Sequence, residues 1–196
     1  MSSLRHIADP KTDGYLDAAR DCILDIGWRR TTLTEVARRA GVSRMTMYRA
    51  WPDMGSLLGD LMTREWVGIA AATRVAAVDT TTPSGIAAAA LATVRALRDN
   101  ELFVRIVELD PELLLPYLLS RRGRSQQGLI EILAAEIRTG QSAGSVRDGD
   151  PVLLARSLVL AGQGFVFSSL TMVDHDVPLE ALDDEYVRLV TRTLEP

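Results

Sequence analysis

Cysteine is almost missing from this chain: Cys22 is the only one in 196 residues. That excludes an intramolecular disulfide and a thiolate metal cluster, and it fits a reducing compartment. Leu16, Ala19, Ile23 and Ile26 recur at helical spacing around it, so Cys22 is expected on the inner face of a helix as a small apolar residue. Histidine is scarce as well. His6 lies near the start and His175 in a predicted loop, a spacing that supports no Ser/His/Asp or Cys/His arrangement. Asp174-His175-Asp176 reads as a solvated loop, because adjacent loop residues point in different directions. Glu108, Asp110 and Glu112 are read as capping a helix boundary. Gly123 and Gly128 are isolated and cradle no phosphate. No catalytic residue, metal site or cofactor is therefore assigned, and an enzyme is not expected. No segment reaches the ~20 apolar residues of a membrane span. The opening MSSLRHIADPKTDG has no apolar run and is not a signal peptide, so a soluble, cytoplasmic protein without a membrane partner is expected. Aromatics make up 5% of the chain while alanine and leucine abound, which favours helices over sheet.

What is present is helical pattern and one concentrated block of charge. The net charge is −4, so bulk charge does not make the molecule a polyanion binder. Between Trp28 and Trp51, however, Arg29, Arg30, Arg38, Arg39, Arg44 and Arg49 face a single acid, Glu35. A basic block in an acidic protein fits either a local nucleic-acid surface or a solvated helix face.

In chain order, residues 1–11 read as an arm and a first helix is expected over 12–26, closed by Gly27. Thr32 and Glu35 form a capping box for a second helix. Gly41-Val42 is a turn, and Ser43 caps a third helix ending near Trp51. Met47 and Trp51 point inward, which leaves Arg44, Met45, Tyr48 and Arg49 outward with Thr46 near the same surface. Two short helices joined by a glycine turn, with a first helix beneath them, make a helix-turn-helix, whose last helix enters the DNA major groove. Pro52 stops the third helix. A fourth is expected over 53–78, a fifth from Thr82-Pro83 to Arg98, and a sixth to Leu109. A seventh, disturbed at Pro116, is expected to reach residue 139. Residues 140–149 read as a loop, and an eighth helix, apolar nearly all round, is expected from Asp150-Pro151 to Leu170. A ninth spans 179–194. No strand competes anywhere.

The run TTLTEVARRAGVSRMTMYRAW, followed by MGSLLGDL, resembles the DNA-binding domain of the TetR family of bacterial transcriptional regulators. Thr32, Val36, Ala37, Ala40, Gly41, Val42, Ser43, Met47, Tyr48, Trp51 and Leu57 fit the family wording, identically or conservatively. The resemblance covers about 15–61; a weaker echo lies in the G-x-x-x-G-x-x-R-x-x-D of 140–150. Met45 stands where glycine is usual, Ala50 where histidine or tyrosine is, and Met54 where a lysine commonly meets a phosphate. Phosphate binding is then expected to lean on Arg29, Arg30, Arg38, Arg44 and Tyr48.

The resemblance implies an all-α fold: an N-terminal three-helix helix-turn-helix DNA-binding domain, with its arm, over 1–52, and a larger C-terminal helical ligand-binding and dimerisation domain over 53–196. It implies a regulator, in the family's usual mode a repressor, that binds an operator in double-stranded DNA as a homodimer and answers to a small-molecule effector. A constitutive DNA-binding protein without an effector is the alternative. The expected DNA-contacting residues are Thr32, Ser43, Arg44, Met45, Thr46, Tyr48 and Arg49. One such helix reads few base pairs, so two half-sites about 34–36 Å apart, or a multiple of that, require a dimer. Leu154, Leu158, Ala161 and Phe165 form one stripe of the eighth helix; Leu182, Tyr186, Leu189 and Val190 form one of the ninth. Both are assigned to the dimer interface, although the same stripes suit an intramolecular core. Gly162 and Gly164 would let helices approach closely. Trp66, Ile69, Phe103, Ile106, Tyr117, Gln126, Ile130, Gln163 and Phe167 are the candidates to line an effector pocket for an uncharged or weakly polar organic molecule.

Overall fold

The computed structural model describes residues 10–77 and 79–196; most of the expected arm, with His6, lies outside them. Among the described residues there are ten α-helices, three short 3-10 turns and no strand. The helices are α1 (Pro10–Ile26), α2 (Leu33–Arg39), α3 (Arg44–Ala50), α4 (Met54–Val75), α5 (Pro83–Arg98), α6 (Glu101–Leu109), α7 (Leu115–Leu119), α8 (Arg124–Ser142), α9 (Pro151–Phe167) and α10 (Leu179–Leu194). The 3-10 turns are Trp28–Arg30, Pro111–Leu113 and Ser169–Thr171.

Short polar side chains start most of these helices by accepting an amide that the helix itself leaves unpaired. The Glu35 amide donates to Thr32 Oγ1, Thr46 to Ser43, Gly85 to Thr82, Phe103 to Asn100 and Val152 to Asp150. Pro83 and Pro151 follow their caps, where a missing N–H costs nothing.

Two helices depart from the sequence expectation. The single seventh helix is two. Pro116 sits in the first turn of α7, Ser120 leaves helical geometry at φ −137°, and the chain restarts at Arg124. The Arg121 amide turns back onto the Pro116 carbonyl at 2.8 Å, which closes α7 after little more than one turn. At its other end α8 runs through Gly140 to Ser142, so the expected loop is shorter. The Gly140 carbonyl accepts the amides of Ser145 and Val146 and the Ser145 hydroxyl, sealing that end. The eighth helix of the sequence reading, α9, stops at Phe167, where the Ser168–Met172 backbone tightens into a 3-10 turn.

By packing, the chain divides into two units: residues through Glu65 with Asn100–Ser125, and Trp66–Asp99 with Gln126–Pro196. A boundary after residue 52 was expected. Instead α6 and the first part of α4 pack with the N-terminal helices. In the first unit the buried side chains are Leu16, Cys22 and Ile23 of α1, Val36 of α2, Met47 of α3, Leu57 and Leu61 of α4, and Leu102 and Ile106 of α6. Burial of each such large apolar side chain contributes about 1.5–3 kcal/mol. Arg20 of α1 pairs with Glu65 and Glu101, which tethers the start of α6.

The second unit is built on α5. Ile86, Ala87, Ala90, Leu91 and Val94 pack with Ile130, Leu133 and Ile137 of α8, Leu154 and Leu158 of α9, and Tyr186, Val190 and Leu194 of α10. Asp183 of α10 is buried and accepts from Arg95 at 2.7 Å and from Arg98 at 2.7 and 2.9 Å, fastening α10 to α5.

Candidate nucleic-acid interface

The geometry of the α2–α3 pair follows from its caps and one glycine. Gly41 has φ +67°, the left-handed region in which an added Cβ is strained. The Val42 amide then returns to the Ala37 carbonyl at 3.0 Å, and the chain reverses within two residues. Ser43 Oγ accepts the Thr46 amide at 3.1 Å and lies 2.8 Å from Thr46 Oγ1, so both hydroxyls are engaged at the start of α3.

With α3 thus fixed, its inner face carries Met47, and Trp51 closes it; both are buried. Its outer face carries Arg44, Met45, Tyr48 and Arg49, all exposed, with Met45 at 70% and Tyr48 at 50%. Thr32 and Ser43, both exposed, sit at the starts of α2 and α3. The seven residues expected to meet DNA are therefore grouped on α3 and the caps of α2 and α3.

The arginines of the basic block fall into two classes. Arg29 is held by Asp110 at 3.0 Å and Glu112 at 2.7 Å. Arg38 donates twice to Glu35, at 3.1 and 2.6 Å, and Arg39 pairs with Asp25 at 2.5 Å. Those acids neutralise them, and the hydrogen bonds from Arg38 hold the Glu35 carboxyl below its ordinary value. Arg30, Arg44 and Arg49 make no ion pair with any described residue, so their charge faces solvent unopposed. Arg29 and Arg38, both expected at phosphates, are paired with acids of the chain through side chains that stay 72% and 70% exposed. The capping role given to Asp110 and Glu112 is corrected. Asp110 makes no side-chain cap and both carboxylates pair with Arg29, whose hydrogen bond, with one from Glu112's own amide, lowers the Glu112 pKa.

The sequence profile described as "Bacterial regulatory proteins, tetR family" matches residues 16–61, the stretch that builds this face. The uncharacterized HTH-type transcriptional regulator Mb2274c of Mycobacterium bovis is 39% identical over 170 residues, covering 87% of each chain. In fold, the chain matches the R. erythropolis transcriptional repressor QsdR from the TetR family, with a TM-score of 0.73, 18% identity and 95% of each chain covered. It also matches RolR in complex with resorcinol, with a TM-score of 0.64, 14% identity and coverage of 94% of this chain and 87% of that one. The chain belongs to the TetR family. It is a DNA-binding transcriptional regulator with a helix-turn-helix, not an enzyme.

In this TetR-family chain the residues assigned to an effector are spread over both packed units. Phe103, Ile106 and Tyr117 belong to the first; Trp66, Ile69, Gln126, Ile130, Gln163 and Phe167 belong to the second. Phe103, Ile106 and Ile130 are buried, and the other six are partly buried. Arg121 lies over the Tyr117 ring, 4.7 Å from its centroid.

The dimer stripe needs correction. Leu154, Leu158, Tyr186 and Val190 are at most 5% exposed and belong to the core around α5. Ala161 and Phe165 pack against that core from its edge, Leu182 is half-buried, and Leu189 is 42% exposed. Leu154, Leu158, Tyr186 and Val190 thus serve the intramolecular core that the same stripes also suited. The side of α9 turned to solvent instead carries Leu153 and Leu160, at 61% and 70% exposure. Gly162 does permit close approach within the chain: a Cβ there would lie 2.9 Å from Tyr186 Oη, whereas Gly164 faces open space.

Sequence reasoning missed a buried pair, Arg74 of α4 and Glu136 of α8, joined at 2.9 Å with each side chain 11% exposed. Arg74 also donates to Thr93 Oγ1 at 3.1 Å, and burial pushes the Glu136 carboxyl up despite its partner. A single charge within an apolar stretch of each helix was the available signal. The Asp174-His175-Asp176 loop is held by its own backbone, with Asp174 Oδ1 accepting the amides of Asp176 and Val177. Among the described residues no cluster has metal-holding composition, and no helix is long and apolar enough to cross a membrane.

Proposed function

We propose that this protein is a ligand-responsive repressor that binds a palindromic operator as a homodimer and is released by a small apolar or weakly polar effector. The observation that carries the proposal is the outer face of α3, where Arg44, Met45, Tyr48 and Arg49 stand exposed on a helix rigidly capped at Ser43. Arg44 and Arg49 are suited to guanine O6/N7, Met45 and Thr46 to a thymine methyl, and the hydroxyls of Tyr48, Ser43 and Thr32 to phosphate. Arg29, Arg30 and Arg38 supply phosphate charge, Arg30 without an ion pair to any described residue.

The dimer face is the solvent side of α9 with the adjoining side of α10. Support comes from Leu153 and Leu160, seven residues apart on α9, and from Leu189 on α10, all apolar and exposed. Seven residues are two helical turns, the spacing of a seam between packed helices. An effector acts by favouring a conformation whose two reading helices no longer match the grooves. DNA and effector then weaken each other by the same factor. RolR, a structural neighbour, has resorcinol as its ligand, and small phenols are a sensible first panel. The cytoplasm, where the DNA is, is the proposed location.

The test is a gel shift with DNA from upstream of the protein's own gene, at two salt concentrations and with the phenol panel. Salt-sensitive binding that a ligand releases is the expected result. Binding that no ligand alters would leave a constitutive DNA-binding protein. Arg44→Ala separates the two kinds of contact: relaxed base preference by about 1–3 kcal/mol means a base is read, and a uniform loss means a phosphate.

A further inference from the structure

The reading helix α3 is only seven residues long, so its orientation depends on what holds its two ends. Ser43 holds the first. Trp51 holds the second: its amide donates to the Met47 carbonyl at 2.9 Å, and its side chain is 1% exposed. Tyr15 meets the indole edge-on, with centroids 6.3 Å apart at 79°. Packing alone would suit any large ring, but this indole also has a partner. Trp51 Nε1–H donates to Asp60 Oδ2 of α4 at 2.7 Å. The other oxygen of the same carboxylate, Oδ1, is ion-paired with Arg124, the first residue of α8. Asp60 is 13% exposed, and its two oxygens therefore serve two different elements.

We propose that Asp60 is a positioning residue for DNA reading: it links the first turn of α8, through Arg124, to Trp51 at the end of the reading helix. A carboxylate held by a guanidinium is fixed in place and is a strong acceptor, so it fixes the indole and with it the end of α3. Arg124 is 44% exposed, so the relay is open to change at its outer end. Gly59 leaves the space for it. A Cβ at residue 59 would lie 2.9 Å from Arg124 Nη2, the far tip of a flexible side chain, so Gly59→Ala displaces the guanidinium without disturbing a backbone.

That glycine provides a test in which folding and reading move apart. Alanine is a better helix former than glycine, so Gly59→Ala keeps or raises thermal stability while loosening the relay. The full-length protein is compared with Gly59→Ala, Arg124→Gln, Trp51→Phe and the Trp51→Phe/Arg124→Gln pair. Two readouts are taken: the indole N–H resonances of the three tryptophans, with Trp51 assigned from its Phe variant, and affinity for a duplex from upstream of the gene. Gly59→Ala and Arg124→Gln are expected to move the Trp51 indole resonance and to weaken DNA binding roughly five- to tenfold, the scale of one charge-assisted hydrogen bond. The paired variant is expected to bind no worse than its weaker parent, because both changes act through Asp60. A Trp51 resonance unmoved by both Gly59→Ala and Arg124→Gln overturns the proposal. So do additive losses in the pair, or losses of affinity that follow thermal stability alone. The resonance arm is independent of which DNA is used, so a poor choice of duplex is told apart from a failed relay.

Discussion

Replacing Asp183 with alanine tests how the second unit is held together. Its carboxylate is 3% exposed and faces two arginines of different character. Arg98 is 10% exposed and donates to both oxygens, whereas Arg95 is 50% exposed and can return to water. The Arg95 contact is therefore worth about 1 kcal/mol or less. Arg98 is the expensive group, since Asp183→Ala leaves a buried guanidinium without its counter-ion and Nη1 of Arg98 already has no hydrogen-bond partner. Breaking such a pair from one side costs about 3–5 kcal/mol. At about 2–4 °C per kcal/mol for a chain of this size, the melting temperature falls by roughly 6–20 °C. The double change Arg98→Met/Asp183→Leu removes both charges and should return most of the loss, because two apolar groups replace a pair whose desolvation was itself costly. Urea unfolding followed by circular dichroism measures all three chains. A cost below about 1 kcal/mol for Asp183→Ala, or a double variant no more stable than the single one, would refute a dry, mutually dependent pair.

Four further outcomes are expected. Leu160→Glu should convert dimer to monomer in sedimentation with little change in melting temperature, while Leu158→Ala, seated in the core, should cost about 2–5 kcal/mol. Gly41→Ala should destabilise by about 1–2 kcal/mol in urea unfolding, because alanine is strained at a positive φ. For Glu136, whose folded pKa lies above its ordinary 4.5, the stabilising contribution is full below that ordinary value and fades as pH rises through the folded one. Glu136→Gln should therefore flatten the rise in urea stability seen on acidification from neutral pH toward 4.5. Ser43→Ala should cost about 1 kcal/mol of stability and weaken DNA binding in gel shifts, because it uncaps the reading helix.

The helix-turn-helix was legible in the sequence because its determinants are local. A hydroxyl at Thr32 or Ser43, an acid three residues on from Thr32, and a glycine at 41 specify caps and a turn without reference to the rest of the chain. The inward Met47 and Trp51 and the outward Arg44, Met45, Tyr48 and Arg49 followed from helical periodicity once those caps were placed. The break at residues 120–123 was blurred because Pro116 is tolerated in a first helical turn and signals a start as readily as a kink.

Tertiary structure decided whatever depends on a partner distant in sequence. The stripe Leu154–Leu158 on α9 has the period of an apolar seam whether α5 or a second subunit covers it, and only the position of α5 resolves the choice. Likewise, six arginines look alike in a sequence, but Asp110 and Glu112, about eighty residues away, pair with Arg29, while Arg30, Arg44 and Arg49 make no ion pair with any described residue. Periodicity and caps are properties of neighbouring residues, so the sequence alone determined the reading head. Neutralisation and burial are properties of approach through space, so only the folded chain determined which cations and which apolar face remain available.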